Sequence, residues 1–137
     1  MSATVIDRLC RLPIEFGAGD RSAVDLVQSL GLKQGSESLP RQAILEVLRR
    51  EPALIDNWQT WSENKRCDGW VFEGSAEPCL VYRFSIDGSV PGDIPYSRIG
   101  GKFVVHEELK FRDRAEACAE FIVREIQSIA SLIGKPS

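Results

Sequence analysis

The last third of the chain limits the fold most. Between residues 113 and 133, Cys118, Ile122, Ile126, Ile129 and Ile133 recur every three or four residues. Glu116, Glu120, Arg124, Gln127 and Ser131 occupy the opposite side. That period is one apolar face of an α-helix. Asp113 with Glu116 reads as a capping-box start, and Gly134 with Pro136 as the end. A long helix with a continuous aliphatic stripe has to lie on a broad apolar surface, and the preceding residues supply one with a different period. Trp70 and Phe72 alternate with Val71 and Glu73, Leu80, Tyr82, Phe84 and Ile86 alternate with Val81, Arg83 and Ser85, and residues 102–110 repeat the two-residue alternation. The expected fold is therefore α+β: N-terminal helices, a small antiparallel sheet of three strands, and a long C-terminal helix packed on it. At roughly 25 cal/mol per Å2 of apolar surface removed from water, this seam is expected to dominate stability.

The first 66 residues read as helices. Ser2 caps a first helix near 3–12 that Pro13 stops, and residues 16–20 read as a loop. Helices follow near 22–30, ended by Gly31, near 39–50, capped by Ser38 with Pro40 in its first turn, and near 53–63. Strands are expected at 69–73, 79–86 and 102–110, separated by a turn at 74–78 and a Gly- and Pro-rich loop at 87–101. The expected core holds Trp58, Trp61, Leu80, Tyr82, Phe84, Val105, Leu109, Ile122, Ile126 and Ile129. At 137 residues the chain suits one domain, residues 1–137, with a helical half 1–66 and a sheet half 67–137.

Composition narrows the function. The net charge of −3 argues against a broad nucleic-acid interface, which needs clustered Lys and Arg. No apolar run approaches a membrane span, and residues 1–11 lack the apolar block of a signal peptide, so a cytoplasmic location and no membrane partner are expected. Residues 1–66 carry nine basic and nine acidic side chains, whereas residues 67–137 carry eight and eleven. The excess acid therefore sits in the sheet half.

The chemistry-bearing residues form no familiar constellation. Cys10, Cys67, Cys79 and Cys118 include no closely spaced pair, and His106 is the single histidine, so no metal site and no cofactor are expected. Cys10 and Cys118 fit apolar filler in helices. Cys67, between Arg66 and Asp68, has the best setting for a reactive thiol but no nearby base. No nucleophile elbow and no phosphate-binding glycine pattern occurs. His106 falls on the side of its strand that carries Lys102, Glu108 and Lys110, the expected solvent side. Glu107 falls on the apolar side, where a carboxylate needs an arginine partner or a bulge that rotates it outward. No catalytic residue is assigned. The expected partner surface is the loop bearing Asp87, Asp93, Tyr96 and Arg98 together with His106 and Glu108 on the strand it enters, because loops on a rigid scaffold commonly carry recognition.

Two segments carry a resemblance. Asp56-Asn-Trp-Gln-Thr-Trp-Ser-Glu-Asn-Lys-Arg66 followed by Asp68-Gly-Trp-Val-Phe72, and the closing stretch Phe111-Arg-Asp-Arg-Ala-Glu-Ala-Cys-Ala-Glu-Phe-Ile-Val-Arg-Glu125, resemble small bacterial immunity proteins. In those a Trp-bearing helix runs through a Ser-Glu-x-Lys-Arg turn into a Gly-Trp-aromatic strand. The resemblance covers about a third of the chain. It implies a non-enzymatic protein that neutralises a cognate toxin of competing bacteria, such as a nuclease, by binding it. The long 87–101 loop departs from the short hairpin of that pattern and leaves the toxin class open. The alternative reading is a small cytosolic enzyme or ligand-binding domain, with the loop over a pocket near Trp70 and His106.

Overall fold

A computed structural model describes residues 2–19, 22–32, 39–64, 69–86 and 103–133. Side chains at 18, 84–86 and 103–106 fall outside the description. The described elements run α1 (Ala3–Cys10), α2 (Leu12–Ala18), α3 (Ala23–Ser29), α4 (Arg41–Arg50), α5 (Ala53–Glu63), β1 (Gly69–Glu73), β2 (Cys79–Ile86), β3 (Phe103–Phe111) and α6 (Arg114–Ala130). The fold is α+β, with an antiparallel sheet in the order β1-β2-β3.

Local chemistry sets most boundaries. Ser2 and Ser22 cap α1 and α3 by accepting the backbone N–H three residues on, at 3.2 and 3.1 Å. Gly31, at φ +85°, turns the chain out of α3, a conformation that glycine adopts without a Cβ clash. Asp113 caps α6 by accepting the Ala115 N–H at 2.9 Å.

Three boundaries differ from expectation. Pro13 does not end the first helix. It lies in the first turn of α2, where its missing N–H breaks no helical bond, and the chain bends at Arg11 instead. Residues Phe16 to Ala18, expected in a loop, therefore belong to a second short helix. Helix α4 starts at Arg41 behind Pro40, with buried Leu39 and Ile44 at the flanking positions of a hydrophobic staple, while Ser38 lies outside the described residues. Helix α6 ends at Ala130, three residues before the expected 133.

The sheet buries the face opposite to the one expected for β2. Val81 is fully buried and Cys79 nearly so, whereas Leu80 and Tyr82 are half-buried on the outer side. Val81 is opposite Phe72 on β1 and Leu109 on β3, so those three residues share the helix-covered face. Phe72 stacks on Phe121 of α6 at 5.9 Å between ring centroids. The core joins both halves of the sequence: Leu9, Leu26, Ile44, Leu48, Trp58, Ile122 and Ile126 all belong to it. Of the other residues expected in the core, Trp58 and Trp61 are buried, Leu109 and Ile129 are partly buried, and the Phe84 and Val105 side chains lie outside the description.

Helix α5 closes one edge of the sheet. The Phe72 N–H donates to Ser62 Oγ at 2.8 Å and the Gly74 N–H donates to Gln59 Oε1 at 2.7 Å. The first is a β1 donor pointing away from β2 and the second follows directly after the strand, so side chains of α5 stand in there for a fourth strand. Gly74 is held tightly there: a Cβ would lie 2.5 Å from Phe72 Cζ and 2.8 Å from Gln59 Oε1. Because Phe72 is wedged against Phe121, its ring cannot swing aside, and Gly74→Ala is expected to cost roughly 1–3 kcal/mol in urea unfolding. An unchanged midpoint would show that the turn relaxes freely.

Candidate functional site

Asp87, Asp93, Tyr96 and Arg98, and likewise Cys67, lie outside the described residues. The backbone of His106 is in β3. Arg83 pairs with Glu107 and Phe84 with Val105, so His106 is the extra residue of a β-bulge. Glu108 sits opposite Tyr82 on the outer face, exposed, with its carboxylate 4.0 Å from the Lys110 ammonium. Within the expected site, β3 thus joins His106 and Glu108 by backbone alone.

The bulge does not resolve the Glu107 question by turning that residue outward. Glu107 remains on the helix-covered face and meets Arg124 of α6 at 3.3 Å. Arg124 also meets Glu120 at 2.7 Å, and Glu120 meets Arg41 of α4 at 3.0 Å. The Arg124 guanidinium lies 5.0 Å from the centre of the Trp70 ring. This chain of alternating charge ties α4, α6 and β3 together beside Trp70.

The thiols in the described residues serve packing. Cys10, Cys79 and Cys118 are free and buried. Burial pushes the Cys10 thiol up to about 12 and raises those of Cys79 and Cys118. A thiol so raised is a poor nucleophile at neutral pH. Native protein should therefore leave Cys10 and Cys118 unlabelled by a maleimide over the time in which urea-unfolded protein reacts fully. Mass spectrometry of the labelled peptides reads this, and rapid native labelling of either would contradict the buried packing.

A concavity of about 490 Å3 opens elsewhere, between α2, α5 and the second half of α6. Trp70 is not among its described lining residues. Its walls are Phe16 from α2, Trp61 from α5 and Ile129 from α6, with Leu132 at the mouth. The Phe16 and Trp61 rings are tilted at 55° with centroids 5.2 Å apart. Glu125 lines the same space at only 4 % exposure, and Trp61 Nε1 donates to its Oε2 at 2.8 Å. Phe16 and Leu132 stay 46 % and 57 % exposed, unusual for such large apolar side chains. Asn57, Thr60, Asn64 and Ser128 add neutral polar groups.

Sequence reasoning missed this site because its walls come from positions far apart in the chain. One signal was present: Glu125 lies three residues after Ile122 and four before Ile129, on the apolar stripe rather than the polar face. Trp61 was expected to be spent on the core, and it is both core and wall.

Among the described residues no three His, Cys, Asp or Glu side chains converge as a metal site, and no helix is long and apolar enough to cross a membrane. Comparison with family models, curated proteins and solved structures yields no significant match.

Proposed function

We propose that this chain is an inhibitor protein that binds a cognate bacterial toxin domain and blocks its active site without chemistry of its own. The observation that carries the reading is the position of β3. Among the described residues it is the uncovered edge of the sheet, it turns Glu108 outward, and it belongs to the half of the chain with excess acid. A strand edge offers backbone hydrogen bonds to a partner, and neighbouring carboxylates speed association with a basic one. The segment entering β3 brings Asp87, Asp93, Tyr96 and Arg98 to that end of the sequence, and His106 and Glu108 complete the contact. The immunity-protein resemblance of Asp56 to Phe72 and Phe111 to Glu125 agrees with this reading.

The test begins with the gene beside this one. If it encodes a secreted toxin, the toxin domain expressed alone should kill, and expression with this chain should restore growth and give a stoichiometric complex. A metabolic operon, or a toxin that neither binds nor is neutralised, overturns the reading. With such a toxin in hand, Asp87→Lys with Asp93→Lys should weaken binding at least tenfold, about 1.4 kcal/mol, with little change in melting temperature. Calorimetry at low and moderate salt reads this, and unchanged affinity at both removes the 87–98 carboxylates from the interface.

A further inference from the structure

We propose that the open edge of β3 is a self-association surface, to which a second copy of this chain adds its own β3 antiparallel about a twofold axis at Leu109. The pairing does not rest on the toxin reading, and its test uses this chain alone; the two partners would compete for one edge. The backbone sets where such a strand can bond. The Phe72 N–H donates to Ser62 of α5 and so points away from β2. Hydrogen-bonding direction alternates along the strands of an antiparallel sheet. Val81, opposite Phe72, therefore turns its N–H and C=O toward β3 and its partner there, Leu109. Those of Glu108 and Lys110, on either side of Leu109, then point outward, where no further strand lies among the described residues. The bulge at His106 interrupts the pattern, so the regular edge is residues 107–111.

Two further observations favour a copy of the same strand as the occupant. The first is charge. Pairing about Leu109 places Glu108 opposite the partner's Lys110 and Lys110 opposite the partner's Glu108, so one register makes two favourable cross-strand pairs. Both side chains are exposed, and at 4.0 Å their ion pair within one chain is loose. The second is burial. In the row Phe72, Val81, Leu109 on the helix-covered face, the first two are fully buried and Leu109 only partly. Phe111, the next residue on that face of β3, is partly buried too. The partner's Leu109, at the roughly 4.5 Å Cα spacing of a non-hydrogen-bonded pair, would extend this apolar row by one member.

The test follows self-association of the full chain by sedimentation. The expected result is a dimer with a dissociation constant below about 1 mM, and a chain still monomeric at that concentration overturns the proposal. Glu108→Lys and Lys110→Glu, each alone, set like charges opposite each other twice and should weaken the dimer about tenfold or more. Mixing the two variants restores an opposite charge at both positions and should return wild-type affinity in a heterodimer. Single variants that dimerise like the wild type, or a mixture no tighter than its components, overturn the proposal. Cysteine pairs check the axis in a Cys67→Ser background. Leu109→Cys should close to a covalent dimer on oxidation because its two copies face each other, whereas Lys110→Cys, whose copies stand out of register, should not. Failure of folded Leu109→Cys to cross-link, or equal cross-linking of Lys110→Cys, overturns the placement at Leu109. If Leu109→Cys fails to fold, the mixing experiment decides alone.

Discussion

Replacing Ile126 by Ala is expected to destabilise the protein by roughly 2–5 kcal/mol. Ile126 is fully buried, and α6 packs on α4 on one side and on the sheet on the other, so little can collapse into the space the substitution leaves. Urea unfolding followed by circular dichroism measures the loss, with the slope checked to be unchanged. A loss below about 0.5 kcal/mol, the scale of an ordinary surface substitution, would show that α6 does not carry the main seam through this face.

Trp58→Ala is expected to cost more, about 3–5 kcal/mol. Trp58 is fully buried where the N-terminal helices meet α6. Its ring lies 5.2 Å from Trp61 and 6.1 Å from Phe121, and its Nε1 donates to the Cys10 carbonyl at 2.8 Å. The substitution opens a cavity and leaves that buried carbonyl without its donor. Trp58→Phe separates the two effects: it keeps most of the ring packing and should retain about half of the loss. Equal losses for both variants would mean that the hydrogen bond, not the volume, dominates.

A smaller expected effect concerns the start of α6. Asp113 accepts from Arg49 at 2.6 Å, which holds its carboxyl below the usual aspartate range, with help from the backbone N–H groups at the helix start. A carboxyl lowered in the folded state adds stability above its unfolded pKa and loses it as pH falls through the folded one. Asp113→Ala should therefore cost about 1 kcal/mol at neutral pH. The gap to wild type should close below about pH 4, where the ordinary aspartate carboxyl protonates. Melting curves across that range test it, and a gap that widens in acid would contradict the sign.

Apart from α2, element type and order were legible because period alone separates helix from strand: the β1 and β2 ranges match expectation and β3 is displaced by one residue. The buried side of β2 was not legible from β2 itself. The Leu80-Tyr82-Phe84-Ile86 stripe is apolar throughout, whereas the Cys79-Val81 stripe runs on into Arg83 and Ser85, so alternation alone favours the first. Only register decides, and Phe72 and Leu109 opposite Val81 decide for the second. Pro13 misled because a proline that stops one helix can equally stand in the first turn of the next. The concavity was out of reach for another reason: Phe16, Trp61 and Glu125 come together only after three helices have packed. The Arg124 partner of Glu107 was one of two outcomes that a carboxylate on an apolar face allows, and the sequence does not name which arginine serves.

The side chains that α5 lends to β1 have a further consequence for how copies of this chain can meet. With Ser62 and Gln59 holding the Phe72 and Gly74 donors, the sheet has, among the described residues, a single end at which another strand can add. A sheet that is open at both ends can recruit copies without limit. One that is plugged at β1 cannot: two copies pairing β3 to β3 about a twofold axis would use both open ends and leave none. Growth by strand pairing then stops at two chains rather than running on as a fibre, and a polar residue pair in a helix, not a charge or a proline on the strand, sets that stop.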